Sequence, residues 1–124
     1  MKPPTQSRTF SRFKLTPGAL SSAARVWIAL LIVFSLQPMR LRAIAFGKPL
    51  HPLLHASLFG IAAALMLIRS AGPAQRLIRT SGILLVAAGL ETAQSLIYGH
   101  RTEWTDFRSD AFGVLIAVVV RRST

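Results

Sequence analysis

A chain of 124 residues, 52% of them hydrophobic, is long enough for a single domain. Its formal net charge of +11 would suit a nucleic-acid binder, but the bases occur in clumps between apolar runs, as they do around membrane helices, so no nucleic-acid partner is expected. The absence of cysteine excludes a disulfide, a thiolate metal site and a thiol nucleophile.

The first 22 residues are polar, basic and interrupted by proline, and we interpret them as a cytoplasmic tail attracted to anionic lipid. The first apolar run, residues 26–36, is short beside the roughly 20 residues that cross a bilayer. A small-x-small cleavage motif occurs only well beyond this run, at residues 43–45. An uncleaved first span is therefore favoured over a signal peptide.

The second apolar run covers residues 50–68 and ends before Arg69. Ala56, Gly60 and Ala64 recur along it every four residues. Small residues at this spacing let a neighbouring helix approach closely, so we expect a helix contact along this stripe.

Two more apolar runs follow, at residues 77–98 and 104–120. The third run carries Glu91 and Gln94 in its second half, and Gly89 on it is expected to serve a close helix contact. The fourth is cleanly apolar only from Ala111, so a full span must include the polar residues before it. The predicted fold is an all-α integral membrane bundle of four transmembrane helices over residues 23–122.

Four spans place both termini on one side of the membrane. Ten of the fifteen bases fall on the side of the termini and five on the other, counting loops and helix ends. The positive-inside rule therefore predicts cytoplasmic termini.

All four acidic residues lie between positions 91 and 110. The topology brings the start of the second helix, the end of the third and the start of the fourth to one level, in the outer half of the bundle. Spacings of three or four residues place each polar set on one helical face, which can point away from lipid. The predicted pocket comprises His55, Glu91, Gln94, Arg101, Asp106 and Asp110.

The spacing of these residues resembles that of the VanZ-like family of small multi-pass bacterial membrane proteins. The shared pattern is E-x-x-Q, then Arg, Asp, Asp or Asn, and Gly, matched by Glu91, Gln94, Arg101, Asp106, Asp110 and Gly113, with His55 and Phe59 on the second helix. The resemblance covers about residues 26–120. Two departures from the family pattern are His51–Pro52, where Asp-Lys is frequent, and Asp110, where Asn is frequent.

The resemblance implies a protein of the bacterial cytoplasmic (inner) membrane, linked to glycopeptide (teicoplanin-type) resistance. Our leading hypothesis is that the pocket binds the anionic or polar head group of an envelope lipid or precursor, with membrane lipids as surroundings and Arg101 as the anion's partner. The alternatives are an intramembrane enzyme using His55 and Glu91 as acid and base, and a structural subunit of a membrane complex.

Two further interpretations concern the charges themselves. Glu91 and Arg101 could form a structural ion pair, since buried charges are usually paired. His51 and His55 with a carboxylate could bind a metal, but Pro52 follows the first histidine and the glutamate of a metalloprotease helix is missing. Neither a metal nor another cofactor is therefore predicted.

Overall fold

The computed structural model describes residues 16–99 and 104–123, and for residues 39–48 it describes the backbone alone. These parts of the chain form four α-helices and no strand. The helices are α1 (Pro17–Ser35), α2 (Met39–Leu67), α3 (Pro73–Tyr98) and α4 (Trp104–Ser123). The all-α prediction is confirmed for the described residues.

The first helix begins earlier than the hydropathy pattern indicated. Thr16 Oγ1 accepts a hydrogen bond from the Ala19 amide at 3.3 Å, and Pro17 occupies the first turn, where a missing N–H leaves no helical bond unmade. Residues 17–22, interpreted above as tail, therefore belong to α1. With these six residues the helix has 19 residues, enough for a candidate span.

Three helical segments are long and apolar enough to cross a membrane: Pro17–Ser35, Pro49–Leu67 and Pro73–Tyr98. The fourth helix does not meet the same measure. Every 18-residue stretch of α4 contains Asp106, Arg108, Asp110 and Arg121. Three of the four predicted spans thus have the length and the composition that a membrane crossing needs, while a span by α4 stays a prediction.

The described surface is apolar, and the buried set includes charged residues. Leu85 and Leu96 on α3 are 73% and 80% exposed, whereas Glu91 on the same helix is 4% exposed. On α4, Val119 is largely exposed and Asp110 is buried. A hydrocarbon environment favours this distribution, because apolar side chains meet lipid and carboxylates turn inward.

Helices α2 and α4 touch through their backbones. A Cβ built on Gly113 would lie 1.9 Å from the carbonyl oxygen of Ala56, and one on Gly60 would lie 3.1 Å from the carbonyl oxygen of Gly113. The predicted close helix contact along the small-residue stripe is therefore confirmed at Ala56 and Gly60, and α4 is the helix that packs there. The expected contact at Gly89 was wrong, because a Cβ there would have no described neighbour within 4 Å.

Side chains of α1 and α3 donate to backbone carbonyls of α2. Trp27 Nε1 donates to the Leu58 oxygen at 3.0 Å. Arg79 Nη1 donates to the Met66 oxygen at 2.6 Å, in the last turn of α2, where carbonyls have no partner within the helix. These bonds hold both helices on α2, around a core that includes Phe59.

Candidate functional site

Two histidines of α2 lie one turn apart on the same helical face. His51 and His55 follow i, i+4, and their ring centroids are 4.7 Å apart. Pro49 and Pro52 lie inside α2 without ending it. His55 is buried, whereas 19% of the His51 side chain is accessible. The pair therefore leads from the edge of the bundle into its interior.

Two aspartates of α4, both buried, face these histidines. Asp110 Oδ1 lies 2.9 Å from His55 Nδ1, which is a hydrogen-bond distance. Asp106 lies between the two rings, with Oδ1 3.4 Å from His51 Nδ1 and Oδ2 3.7 Å from His55 Nε2. Because the contacts advance in the same direction along both helices, α2 and α4 run parallel.

Glu91 brings α3 into the same cluster. Its side chain is buried, and one ligating atom from each of His55, Glu91 and Asp110 lies within 4.8 Å of the other two. The set drawn from three helices is called the polar cluster below, and it comprises His51, His55, Glu91, Asp106 and Asp110.

The structure brings four of the six predicted pocket residues together and assigns another a contact with α1. His55, Glu91, Asp106 and Asp110 meet in the polar cluster. Gln94 Nε2 donates to the Ser35 oxygen at 2.8 Å, and the Tyr98 hydroxyl donates to the Leu36 oxygen at 2.6 Å. These carbonyls lie at the C-terminal end of α1, where a helix leaves them without an internal partner. Gln94 and Tyr98 thus fasten α1 to α3.

Arg101 lies outside the described residues, together with its sequence neighbours His100 and Glu103. Its expected pairing with Glu91 or with an anion therefore stays a prediction. His51 was not among the predicted pocket residues, although its i, i+4 relation to His55 was the signal that could have included it. The role of the Ser35 carbonyl could not be predicted from the sequence, because every residue has a backbone carbonyl.

The chemistry of the polar cluster is that of an acceptor. Carboxylates accept hydrogen bonds and attract cations. In a low-dielectric interior, a carboxylate that has no such partner costs free energy. An ionised Asp110 can only accept from His55 Nδ1, and a neutral His55 in that tautomer presents the lone pair of Nε2 toward Asp106. The arrangement suits a proton, a metal ion, or a ligand rich in hydroxyl or amino donors.

An apolar groove runs along the seam between α2 and α4, beside the polar cluster. Its volume is about 670 Å³. Leu53 and Ala56 line the end nearer the cluster, and Val120 and Arg121 line the far end. The lining is almost entirely apolar and contains none of the cluster residues.

Comparisons with known proteins find no protein-family model, no curated protein and no solved structure that matches this chain. The VanZ-like resemblance and the activity it implies therefore stay predictions.

Proposed function

We propose that this chain is a VanZ-like membrane protein of the bacterial cell envelope, which binds the polar head group of an envelope lipid or precursor at the polar cluster. The observation that carries the proposal is the burial of Glu91, Asp106 and Asp110 beside His55, in a bundle with an apolar exterior. Ionisable side chains are costly at membrane depth and mark binding sites or transport pathways when they occur there.

The polar cluster favours a particular head-group chemistry. Its carboxylates accept hydrogen bonds, so sugar hydroxyls or an amino group fit it directly. A phosphate would need a cation, and Arg101, which precedes α4 in the sequence, is the residue proposed to supply it. His51, the one partly exposed member, marks the edge at which a head group would enter.

The apolar groove gives a lipid a place for its acyl chain. The groove follows α2 from Leu53 to Ile68, about 22 Å at 1.5 Å per residue. Ala56 belongs to the groove and directly follows His55, so head-group site and groove adjoin. A lipid with its head at the polar cluster can lay its chain along the seam between α2 and α4.

The proposed topology places this site at the outer membrane leaflet. In it, α4 is a fourth span whose acids face α2, and both termini are cytoplasmic in accord with the distribution of bases. The polar cluster then lies in the outer half of the bundle, where α3 ends and α4 begins. The resemblance to the VanZ-like family adds the proposed link to teicoplanin-type resistance.

Native mass spectrometry of the protein purified in mild detergent tests the proposal. We expect wild type to retain a polar envelope lipid, and Asp110→Asn and Glu91→Gln to lose at least tenfold of it, because each removes a charged acceptor. Thr92→Ala and Ser109→Ala are matched controls, since each hydroxyl bonds only its own helix in the described contacts, to Ala88 or Thr105.

Two results would contradict head-group binding at this site. One is a folded wild-type protein that carries no envelope lipid. The other is equal lipid retention by the acidic-residue variants and the controls, with all proteins monodisperse. Teicoplanin susceptibility of cells producing the same variants at equal membrane levels gives a second readout, with resistance expected for wild type and both controls only.

The rival proposal of an intramembrane enzyme has one supporting observation. Asp110 bonds His55 Nδ1 at 2.9 Å and so orients the imidazole as a carboxylate orients a general base. Glu91 lies within 4.8 Å of this pair and would be the second acid/base group. Lipid turnover by the purified wild type that disappears in Glu91→Gln would favour the enzyme over simple binding.

A further inference from the structure

The two contacts of Asp106 with the histidines are both too long for good hydrogen bonds. Its oxygens lie 3.4 Å from His51 Nδ1 and 3.7 Å from His55 Nε2, whereas N–H···O bonds cluster at about 2.7–3.2 Å. A buried carboxylate between two imidazoles would normally close on one of them. Instead Asp106 lies between the two rings, within ion-pair distance of both and within hydrogen-bond distance of neither.

These separations match the edges of a metal coordination sphere. Ligands at about 2.0–2.1 Å from a tetrahedral ion lie about 3.3 Å from one another. One ligating atom from each of His51, His55 and Asp106 lies within 4.8 Å of the other two. The distance from Asp106 Oδ1 to His51 Nδ1, 3.4 Å, is close to that edge, and the other carboxylate oxygen, Oδ2, lies 3.7 Å from His55 Nε2.

The contact of Asp110 supports the same conclusion independently. It bonds His55 Nδ1 at 2.9 Å, shorter than a ligand–ligand edge, so this nitrogen is engaged by a hydrogen bond. A metal-bound histidine typically donates its other ring N–H to a carboxylate, which sets the tautomer and aims the ring. Here that bond aims Nε2 of His55 at the space bounded by His51 and Asp106.

We propose that His51 Nδ1, His55 Nε2 and Asp106 bind one divalent transition-metal ion, with Asp110 as the positioning residue for His55. Two imidazoles and one carboxylate favour a transition metal over Mg²⁺, which prefers oxygen ligands. Three protein ligands leave a position open for water or for an oxygen of a bound molecule. The inference goes beyond head-group binding and depends only on the geometry of these four side chains.

The alternative set of His55, Glu91 and Asp110 also meets the distance limit of 4.8 Å. It has one imidazole rather than two, and one of its carboxylates, Asp110, is already hydrogen-bonded to His55. His51 belongs only to the first set. Substitution of His51 therefore separates the two arrangements.

Zinc binding by the full-length protein, purified without a histidine tag and stripped with a chelator, tests the proposal. After Zn²⁺ is added and free metal is removed, we expect elemental analysis to find one zinc ion per wild-type chain. After Mg²⁺ alone is added, we expect no bound magnesium. His51→Ala and Asp106→Asn should lose the bound zinc. Asp110→Asn should weaken the affinity by about 10-fold to 100-fold, because it disturbs the orientation of His55 and not a ligand.

Two controls keep the result interpretable. His100→Ala removes the remaining histidine of the chain and should bind zinc as wild type does. Co²⁺ substitution should show the visible absorption of a tetrahedral site in wild type and lose it in His51→Ala. His51 is partly exposed, so this variant is the one least prone to misfolding, and gel filtration and circular dichroism verify its fold.

Failure of wild type to retain zinc would overturn the proposal, and so would equal zinc content in folded His51→Ala and Asp106→Asn. Zinc lost in Asp106→Asn but kept in His51→Ala would overturn this ligand set too, since His51 is part of it. Lipid retention is measured on separate samples without added metal. Metal binding and head-group binding can therefore fail independently.

Discussion

Replacing Gly113 with alanine should separate α4 from α2. The added Cβ would lie 1.9 Å from the Ala56 carbonyl oxygen and 2.7 Å from its carbon, whereas real Cβ contacts stay above 3.0 Å. Both atoms belong to the helix backbone, so no side-chain rotation relieves the overlap. The helices must therefore move apart by roughly 1 Å, a change of the overpacking kind that typically costs about 1–3 kcal/mol.

The separation should also reach the polar cluster. Asp110 lies three residues before Gly113, and His55 directly precedes Ala56, so the pair bonded at 2.9 Å lies one turn from the displaced contact. We expect Gly113→Ala to weaken binding of lipid or metal at the cluster as well as the fold.

Reversible unfolding of the purified protein in mixed micelles with increasing SDS, followed by tryptophan fluorescence, measures the free energy of unfolding. Gly89→Ala is the matched control, because it also adds a Cβ inside a helix and that Cβ would have no described neighbour within 4 Å. The control should be neutral or slightly stabilised, since alanine favours helix by up to about 1 kcal/mol over glycine. If Gly113→Ala unfolds at the wild-type SDS fraction, or if Gly89→Ala loses as much stability, the backbone contact does not hold α2 and α4 together.

Three other predictions concern the cluster, the attachment of α1 and the topology. Asp110→Ala should lose about 1–3 kcal/mol of unfolding free energy, because it leaves the buried His55 Nδ1–H without its acceptor. Asp110→Asn keeps an acceptor oxygen and should lose less. SDS unfolding compares the two variants, and equal losses would contradict this account. Gln94→Ala removes the 2.8 Å hydrogen bond to the end of α1 and should lower the free energy of unfolding by about 0.6 kcal/mol. Hydrogen exchange in the last turn of α1 should become faster. Unchanged exchange there would show that the bond does not hold the helix end. The chain has no cysteine, so single cysteines can be labelled selectively. Thr105→Cys should react with a membrane-impermeant maleimide in intact cells, and Ser123→Cys should react only after permeabilisation. Labelling of both in intact cells would contradict a spanning α4 with a cytoplasmic C-terminus.

Much of the helix pattern could be predicted from hydropathy. The apolar runs at residues 50–68 and 77–98 lie within or almost within α2 and α3, although α2 begins well before its run, at Met39. The start of α1 was misplaced, since a cap made by Thr16 and a proline in the first turn extend the helix into a polar stretch. A local hydrogen bond here outweighs average hydropathy.

The convergence of polar residues could be predicted in part. Equal spacings of four residues place His51 with His55, and Asp106 with Asp110, on single faces, and the need to keep charges from lipid turns those faces inward. The spacing could not show that Asp106 would lie between both rings, because that depends on the register of α4 against α2. The glycine of α4 that touches the backbone of α2 sets this register.

By itself, then, the sequence determined the apolar character of each helix and the face on which its few polar side chains lie, but not where α1 and α2 begin. The tertiary structure decided which helices meet and at what height, including the donation from Gln94 to the end of α1 and the backbone contact at Gly113. The physical reason is that hydropathy and spacing are properties of a single helix. Pairing depends on how the surfaces of two helices fit, and hydrocarbon, which solvates every apolar face alike, does not distinguish one pairing from another.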